Sequence, residues 1–160
     1  VGTEAPTFEL PGTESETDQF QVYGLEEALA EGPVLLNFYM FDFNPQCTTH
    51  VCSINEMSWF DLDERLTVFG ISTDRTFSHS AFADQEGLQF PLLSDSDGSV
   101  AAEYDVLYDE FKGHKRIAKR SAYVVDTDGT IVYAWQTEDA QEQPDWGAVK
   151  DTLDALVETA

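Results

Sequence analysis

Basic residues are scarce in this sequence. Lysine and arginine together number 8 against 31 aspartates and glutamates, which leaves a formal net charge of −23 over 160 residues. Binding to nucleic acids and to anionic membranes depends on lysine and arginine contacts with phosphate groups, so we expect neither as a partner. The acidic residues are spread along the whole chain. Because molar salt shortens the screening length to about 3 Å, this pattern favours a salt-loving source organism.

Long apolar runs are also missing. No stretch approaches the roughly 20 apolar residues that cross a bilayer, and residues 1–12 contain no basic region followed by a hydrophobic one. We therefore expect a soluble, cytoplasmic protein. A chain of 160 residues is expected to fold as one domain, residues 1–160, around a single core.

Cysteine is limited to Cys47 and Cys52. A secreted protein stabilised by disulfides usually carries four or more cysteines along a shorter chain, so this pair favours catalytic or redox-sensing thiols. A zinc site would need paired histidines or cysteines elsewhere, and the three histidines are scattered. We expect no metal and no cofactor.

Apolar runs predict an alternation of strands and helices, followed by a hairpin and a closing helix. After an extended or hairpin-like N-terminal segment and a short helix near 25–29, the predicted strands are 34–39, 67–72, 90–93, 121–126 and 130–135. The predicted helices are 45–62, 77–85, 98–104 and 146–157. This order is typical of a thioredoxin-like α/β fold, in which helices flank a central mixed sheet.

Cys47 follows the predicted strand 34–39 and lies at the start of the predicted helix 45–62. Unpaired N–H groups and a partial positive charge at a helix N-terminus favour a thiolate, which makes Cys47 the predicted nucleophile. Cys52 lies about 7.5 Å further along such a helix, and a disulfide rarely tolerates a Cα separation above about 7 Å. The helix must therefore unwind if the two cysteines join. A buried, inert role for Cys52 stays open.

Five of the eight basic residues fall within nine positions, namely Lys112, Lys115, Arg116, Lys119 and Arg120. A thiolate is stabilised by nearby cations, so we expect this basic cluster beside the active site. Arg120 directly precedes a predicted strand and is expected to point inward. A solvated loop with incidental charge is the alternative for the other basic residues.

Several segments together resemble the peroxiredoxins, and among them the type called peroxiredoxin Q or bacterioferritin comigratory protein. They are Ala5 to Leu10, Leu35 to Tyr39, Cys47-Thr48 with Cys52, and Lys119 to Asp126. The resemblance implies a thiol-dependent peroxidase that reduces hydrogen peroxide or alkyl hydroperoxides. Its partners would be the peroxide and thioredoxin or a similar dithiol, and the chain would be a monomer or a weak homodimer.

The resemblance also implies the role of each site residue. Cys47 attacks the peroxide and becomes a sulfenic acid, Cys52 resolves it to an intramolecular disulfide, and Arg120 stabilises the thiolate and the peroxide. The family usually has proline and threonine or serine where this chain has Met40 and Asn44. An asparagine amide both donates and accepts hydrogen bonds, so Asn44 is expected to bind the peroxide. Met40 leaves the pocket either looser or packed by its thioether.

Two other functions remain open. The first is a thioredoxin-like disulfide reductase, although the usual two-residue spacing between the cysteines is absent. The second is a non-catalytic redox sensor, in which oxidation switches the helix and changes partner binding. Departures from the family at Met40 and Asn44 keep the second alternative in view.

Overall fold

A computed structural model describes residues 2–13, 21–43, 49, 52, 66–88, 90–137 and 142–159, with side chains up to residue 156. Asn44, Cys47 and most of the predicted helix 45–62 lie outside these residues. Thr49 and Cys52 have helical backbone, which agrees with that helix where the structure describes it.

The described helices are α1 (Leu25–Glu31), α2 (Thr76–Glu86), α3 (Ser99–Glu103) and α4 (Trp146–Thr159). The described strands in chain order are β1 (Glu9–Thr13), β2 (Gln21–Gly24), β3 (Val34–Phe38), β4 (Thr67–Ser72), β5 (Leu92–Ser94), β6 (Leu107–Phe111), β7 (His114–Ala118), β8 (Ser121–Val125) and β9 (Ile131–Gln136). Within this part of the chain, no helix is both long and apolar enough to cross a membrane.

Seven of the described strands form the main sheet, in the order β2-β1-β5-β4-β3-β8-β9. Strand β4 is parallel to both β3 and β5, whereas β8 pairs antiparallel with both β3 and β9. The sheet is therefore mixed. All five residues of β3 are buried, as expected for a strand in the middle of a sheet that is covered on both faces.

Side chains of β3 alternate between two cores. Leu36 and Phe38 pack in one apolar cluster with Leu25 of α1 and Val100 of α3. On the opposite face, Leu35 packs in a second cluster that includes Phe82 from α2 and Val149 and Leu153 from α4. Helices thus cover both faces of the mixed sheet, which confirms the predicted thioredoxin-like fold.

The predicted hairpin in the C-terminal third is present as β8 and β9, with Gly129 in the turn at φ 88°. A second hairpin, β6 and β7, was not predicted and forms its own two-stranded sheet. Lys112 and Gly113 make its two-residue turn, and both have positive φ, as a twist-compatible tight turn requires. The sequence signal was weak because charged side chains occupy most of its outward positions.

Candidate active site

The carboxyl end of β3 marks the site, because the chain runs from there toward Cys47. Phe38, the last residue of β3, pairs with Ser121, the first residue of β8. Arg120 therefore lies just beyond this pair, at the same edge of the sheet. Its side chain is only 1 % exposed, which confirms that it points inward. Burying a guanidinium costs several kcal/mol in lost hydration, and the interactions with favourable partners return about as much. The fold therefore gains little stability from a cation at this position.

The other members of the basic cluster remain at the surface. Lys112, Lys115 and Arg116 are exposed on the β6–β7 hairpin, and Lys119 is half-buried with its ammonium 5.3 Å from the centre of the Tyr108 ring. For these residues the solvated alternative describes the side chains best. Only Arg120 among the five is buried.

Two aromatic side chains of the hairpin nevertheless contact the segment between β3 and Cys47. The Phe41 ring lies edge-on to His114 at 5.0 Å and tilted against Phe111 at 6.4 Å, measured between ring centres. Phe41 thus fixes the basic hairpin beside this segment. Met40 is 1 % exposed and packs in the same apolar cluster as Phe82, so its thioether fills the space next to the site.

Asp42 anchors the same segment through a buried network. Its carboxylate accepts hydrogen bonds from the Tyr39 hydroxyl at 2.6 Å and the Ser78 hydroxyl at 2.8 Å. The Nδ1 atom of His79 lies 2.8 Å from the Asp42 Oδ2 atom. Because Ser78 and His79 belong to α2, these contacts tie the loop after β3 to that helix.

His79 is fully buried and both ring nitrogens have partners. Its Nε2 lies 2.9 Å from the Leu93 carbonyl, which can only accept, so Nε2 carries a proton. Burial, followed by the charge of Asp42, raises the pKa of Tyr39 well above its usual value, so the Tyr39 hydroxyl stays protonated and donates.

Asp74 extends the network on the backbone side. One of its carboxylate oxygens accepts the Asp42 backbone N–H at 2.7 Å and the Ser72 hydroxyl at 2.8 Å. Burial and the neighbouring Asp42 charge raise the pKa of Asp74. Asp42, Asp74 and His79 are spaced as a metal ion would require, but hydrogen bonds already use both nitrogens of His79 and both oxygens of Asp42. Hydrogen bonding therefore accounts for the cluster.

The sequence pattern did not indicate the partners of His79, which the structure supplies. His79, Phe82 and Ala83 form the buried side of α2 at helical spacing. The spacing that places His79 on the same helix face as Phe82 and Ala83 could have indicated this, because a buried histidine must find polar partners.

Replacing Asp42 by alanine should destabilise the protein strongly. Tyr39, Ser78 and His79 would lose their shared hydrogen-bond partner, and each buried polar group left unsatisfied costs about 1–3 kcal/mol. Urea denaturation followed by circular dichroism measures this loss in the free energy of unfolding. The reaction with peroxide should slow as well, because the segment leading to Cys47 loses its anchor.

Asp74→Asn is the matched control. The amide keeps an oxygen acceptor for Asp42 N–H but removes a charge that the fold disfavours. Since the pKa of Asp74 is raised on folding, its ionisation lowers wild-type stability as the pH rises above the usual aspartate value of about 4. Asp74→Asn should therefore be at least as stable as wild type near pH 7, with an advantage that shrinks toward pH 4. Equal losses in both variants would contradict the assigned network.

Cys52 is the cysteine that the structure describes. Cys52 lies on helical backbone, is half-buried, and its thiol donates to the Glu86 Oε1 atom at 3.3 Å. Cys47 and Asn44 lie outside the described residues. Their roles therefore stay predictions.

A cysteine on helical backbone and a buried arginine in a thioredoxin-like fold are features of thiol-based redox proteins. Comparison with known proteins names the family. The profile of the AhpC/TSA family matches residues 1–134, a range that contains both cysteines and Arg120. The chain belongs to this family, and it is a peroxiredoxin-type, thiol-dependent peroxidase.

Individual relatives agree with the predicted resemblance. A putative peroxiredoxin bcp of Coxiella burnetii is 33% identical over 138 residues, covering 84% of this chain and 87% of that protein. Peroxiredoxin Bcp of Bacillus subtilis is 29% identical over 140 residues, covering 85% and 84%. The crystal structure of peroxidoxin BcpB from Mycobacterium tuberculosis superposes with a TM-score of 0.79 at 32% identity, covering 97% of this chain and 96% of that one.

Proposed function

We propose that Cys47 is the peroxidatic cysteine, Cys52 the resolving cysteine, and Arg120 the cation that stabilises the thiolate and the peroxide. The observation that carries the proposal is the burial of Arg120 at the sheet edge where the chain leaves β3 for Cys47. A buried guanidinium offers several donors in a fixed plane, which suits a developing oxyanion.

The catalytic cycle follows from these roles. The Cys47 thiolate attacks one peroxide oxygen, so an S–O bond forms while the O–O bond breaks and the other oxygen leaves as water or an alcohol after taking a proton. Arg120 stabilises the negative charge that develops on the leaving oxygen, and Asn44 donates a hydrogen bond to the peroxide. The product is a sulfenic acid on Cys47.

Cys52 then attacks the sulfenic sulfur, and the hydroxyl group leaves as water when the disulfide forms. Because Cys52 lies on helical backbone, this step requires local unwinding. Thioredoxin or a similar dithiol reduces the disulfide by exchange and is itself oxidised.

A cycle of this kind needs a supply of reduced dithiol, which fits a cytoplasmic location. The high negative charge fits a salt-loving organism, and mutual repulsion fits a monomer or a weak homodimer. These three assignments are predictions from the sequence.

A stoichiometric reaction tests the proposal. Reduced protein mixed with one equivalent of hydrogen peroxide in high salt should consume that equivalent and lose both thiols, about a thousandfold or more faster than a free cysteine. Stopped-flow detection of peroxide measures how fast it is consumed, and titration with a chromogenic disulfide counts the thiols that remain. Slow oxidation without turnover would favour the redox sensor, and reduction of insulin disulfides with no response to peroxide would favour the reductase.

A further inference from the structure

The carboxylate of Glu86 contacts the sulfur of Cys52 from helix α2. The Cys52 thiol donates to the Oε1 atom of Glu86 at 3.3 Å, and both residues are half-buried. The Gln85 side-chain amide donates to the second oxygen, Oε2, also at 3.3 Å. The thiol group of Cys52 is thus within hydrogen-bond distance of a carboxylate, which can accept its proton.

The C-terminal end of helix α2 adds to the negative charge around Glu86. Glu86 is the last residue of α2, and no basic residue lies in the last turn of that helix. The C-terminal end of a helix carries a partial negative charge, so an acidic side chain there reinforces it. A neutral thiol that donates a hydrogen bond is stabilised in this position, whereas a thiolate would be repelled.

We propose that Glu86 keeps Cys52 as a neutral thiol in its helical position and thereby slows disulfide formation. This inference rests on the proposed function, in which Cys52 attacks the sulfenic acid of Cys47. Thiolate is the attacking species, and Cys52 must leave the helix to reach its partner. The charge of Glu86 opposes ionisation and its hydrogen bond opposes departure, so both effects act in the same direction.

The step itself needs no further reactant. The Cys52 thiol releases its proton to solvent, the S–S bond forms, the S–O bond of the sulfenic acid breaks, and the hydroxyl takes a proton to leave as water. A slow step gives the Cys47 sulfenic acid a longer lifetime. A second peroxide can then oxidise it to the sulfinic acid, so Glu86 sets the sensitivity of the enzyme to high peroxide concentrations.

Quenched-flow mass spectrometry separates the two steps, because it distinguishes thiol, sulfenic acid and disulfide. In Glu86→Gln, which keeps an oxygen acceptor but removes the charge, disulfide formation should accelerate about three- to tenfold. Glu86→Ala, which also removes the hydrogen bond, should accelerate it at least as much. Oxidation of Cys47 should keep its wild-type rate in both variants, and less sulfinic acid should form at high peroxide.

Asp84→Asn serves as the matched control, since Asp84 is an exposed acidic residue of the same helix. It should leave both rates unchanged. A second measurement uses no peroxide: in a Cys47→Ser background, alkylation of Cys52 by iodoacetamide should be several-fold faster with Glu86→Gln than with Glu86. Followed as a function of pH, the midpoint of this alkylation should fall in Glu86→Gln, whereas a change in exposure alone would scale the rate without moving the midpoint.

The outcomes separate this inference from the proposed function. If wild-type Cys47 does not react rapidly with peroxide, the proposed function fails, and this inference fails with it. If that first step is fast but disulfide formation in Glu86→Gln is unchanged, Glu86 has no such role. Slower disulfide formation in Glu86→Gln would identify Glu86 as a base for Cys52 and would also overturn the inference.

Discussion

Cys47→Ser should abolish reaction with peroxide, while Cys52→Ser should react once and stop at the sulfenic acid. A serine hydroxyl stays protonated at neutral pH and cannot take the place of the thiolate, so the first step has no nucleophile. Without Cys52, the first step proceeds but no internal thiol displaces the hydroxyl group. Peroxide consumption measured under turnover, with thioredoxin or dithiothreitol as reductant, distinguishes complete loss in the first variant from loss of thioredoxin-dependent recycling in the second.

Chemical trapping of the sulfenic acid identifies which cysteine reacts with the peroxide. A dimedone adduct should appear on Cys47 in Cys52→Ser within the first turnover, and none should appear in Cys47→Ser. Rapid, stoichiometric oxidation that persists in Cys47→Ser would move the nucleophile to Cys52 and contradict the assigned roles.

Arg120→Met should slow the oxidation of Cys47 by about two to three orders of magnitude. The substitution removes a buried cation beside the segment that leads to Cys47, and loss of one donor to a developing oxyanion typically costs this much. The same change should raise the pKa of Cys47, because less positive charge remains to stabilise the thiolate. Stopped-flow kinetics over a series of peroxide concentrations measures the rate constant directly.

Arg120→Lys separates charge from geometry. Lysine keeps the positive charge but offers a compact ammonium in place of a planar set of donors, so we expect an intermediate rate. The free energy of unfolding should be determined for both variants in parallel, so that a slower reaction can be distinguished from a loss of folded protein. A folded Arg120→Met protein with the wild-type rate would exclude Arg120 from the chemistry.

Local patterns in the sequence were enough to predict the sheet core and the orientation of Arg120. The apolar run of β3 indicates a strand that is buried on both faces, and Arg120 points inward because it directly precedes another such strand, β8. The β6–β7 hairpin escaped prediction because its charged, outward-facing residues mask the alternation of apolar ones.

The polar contacts around the site depend on pairs that are distant in sequence. Asp42 and His79 are 37 positions apart, and Cys52 and Glu86 are 34 apart. Nothing in the local pattern around either partner indicates the other, since the pairs form only when α2 packs against the sheet. The fold could therefore be predicted from the sequence, whereas the groups that anchor the loop after β3 and contact Cys52 required the structure.

The account as a whole depends on Cys47 being ionised in the folded protein. In a Cys52→Ser background, thiolate absorbance in the ultraviolet can be followed as a function of pH, with Cys47→Ser as the blank. We predict half-ionisation below about pH 7, well under the value of about 8.5 for an ordinary cysteine. A midpoint at about 8.5 or above would contradict the account.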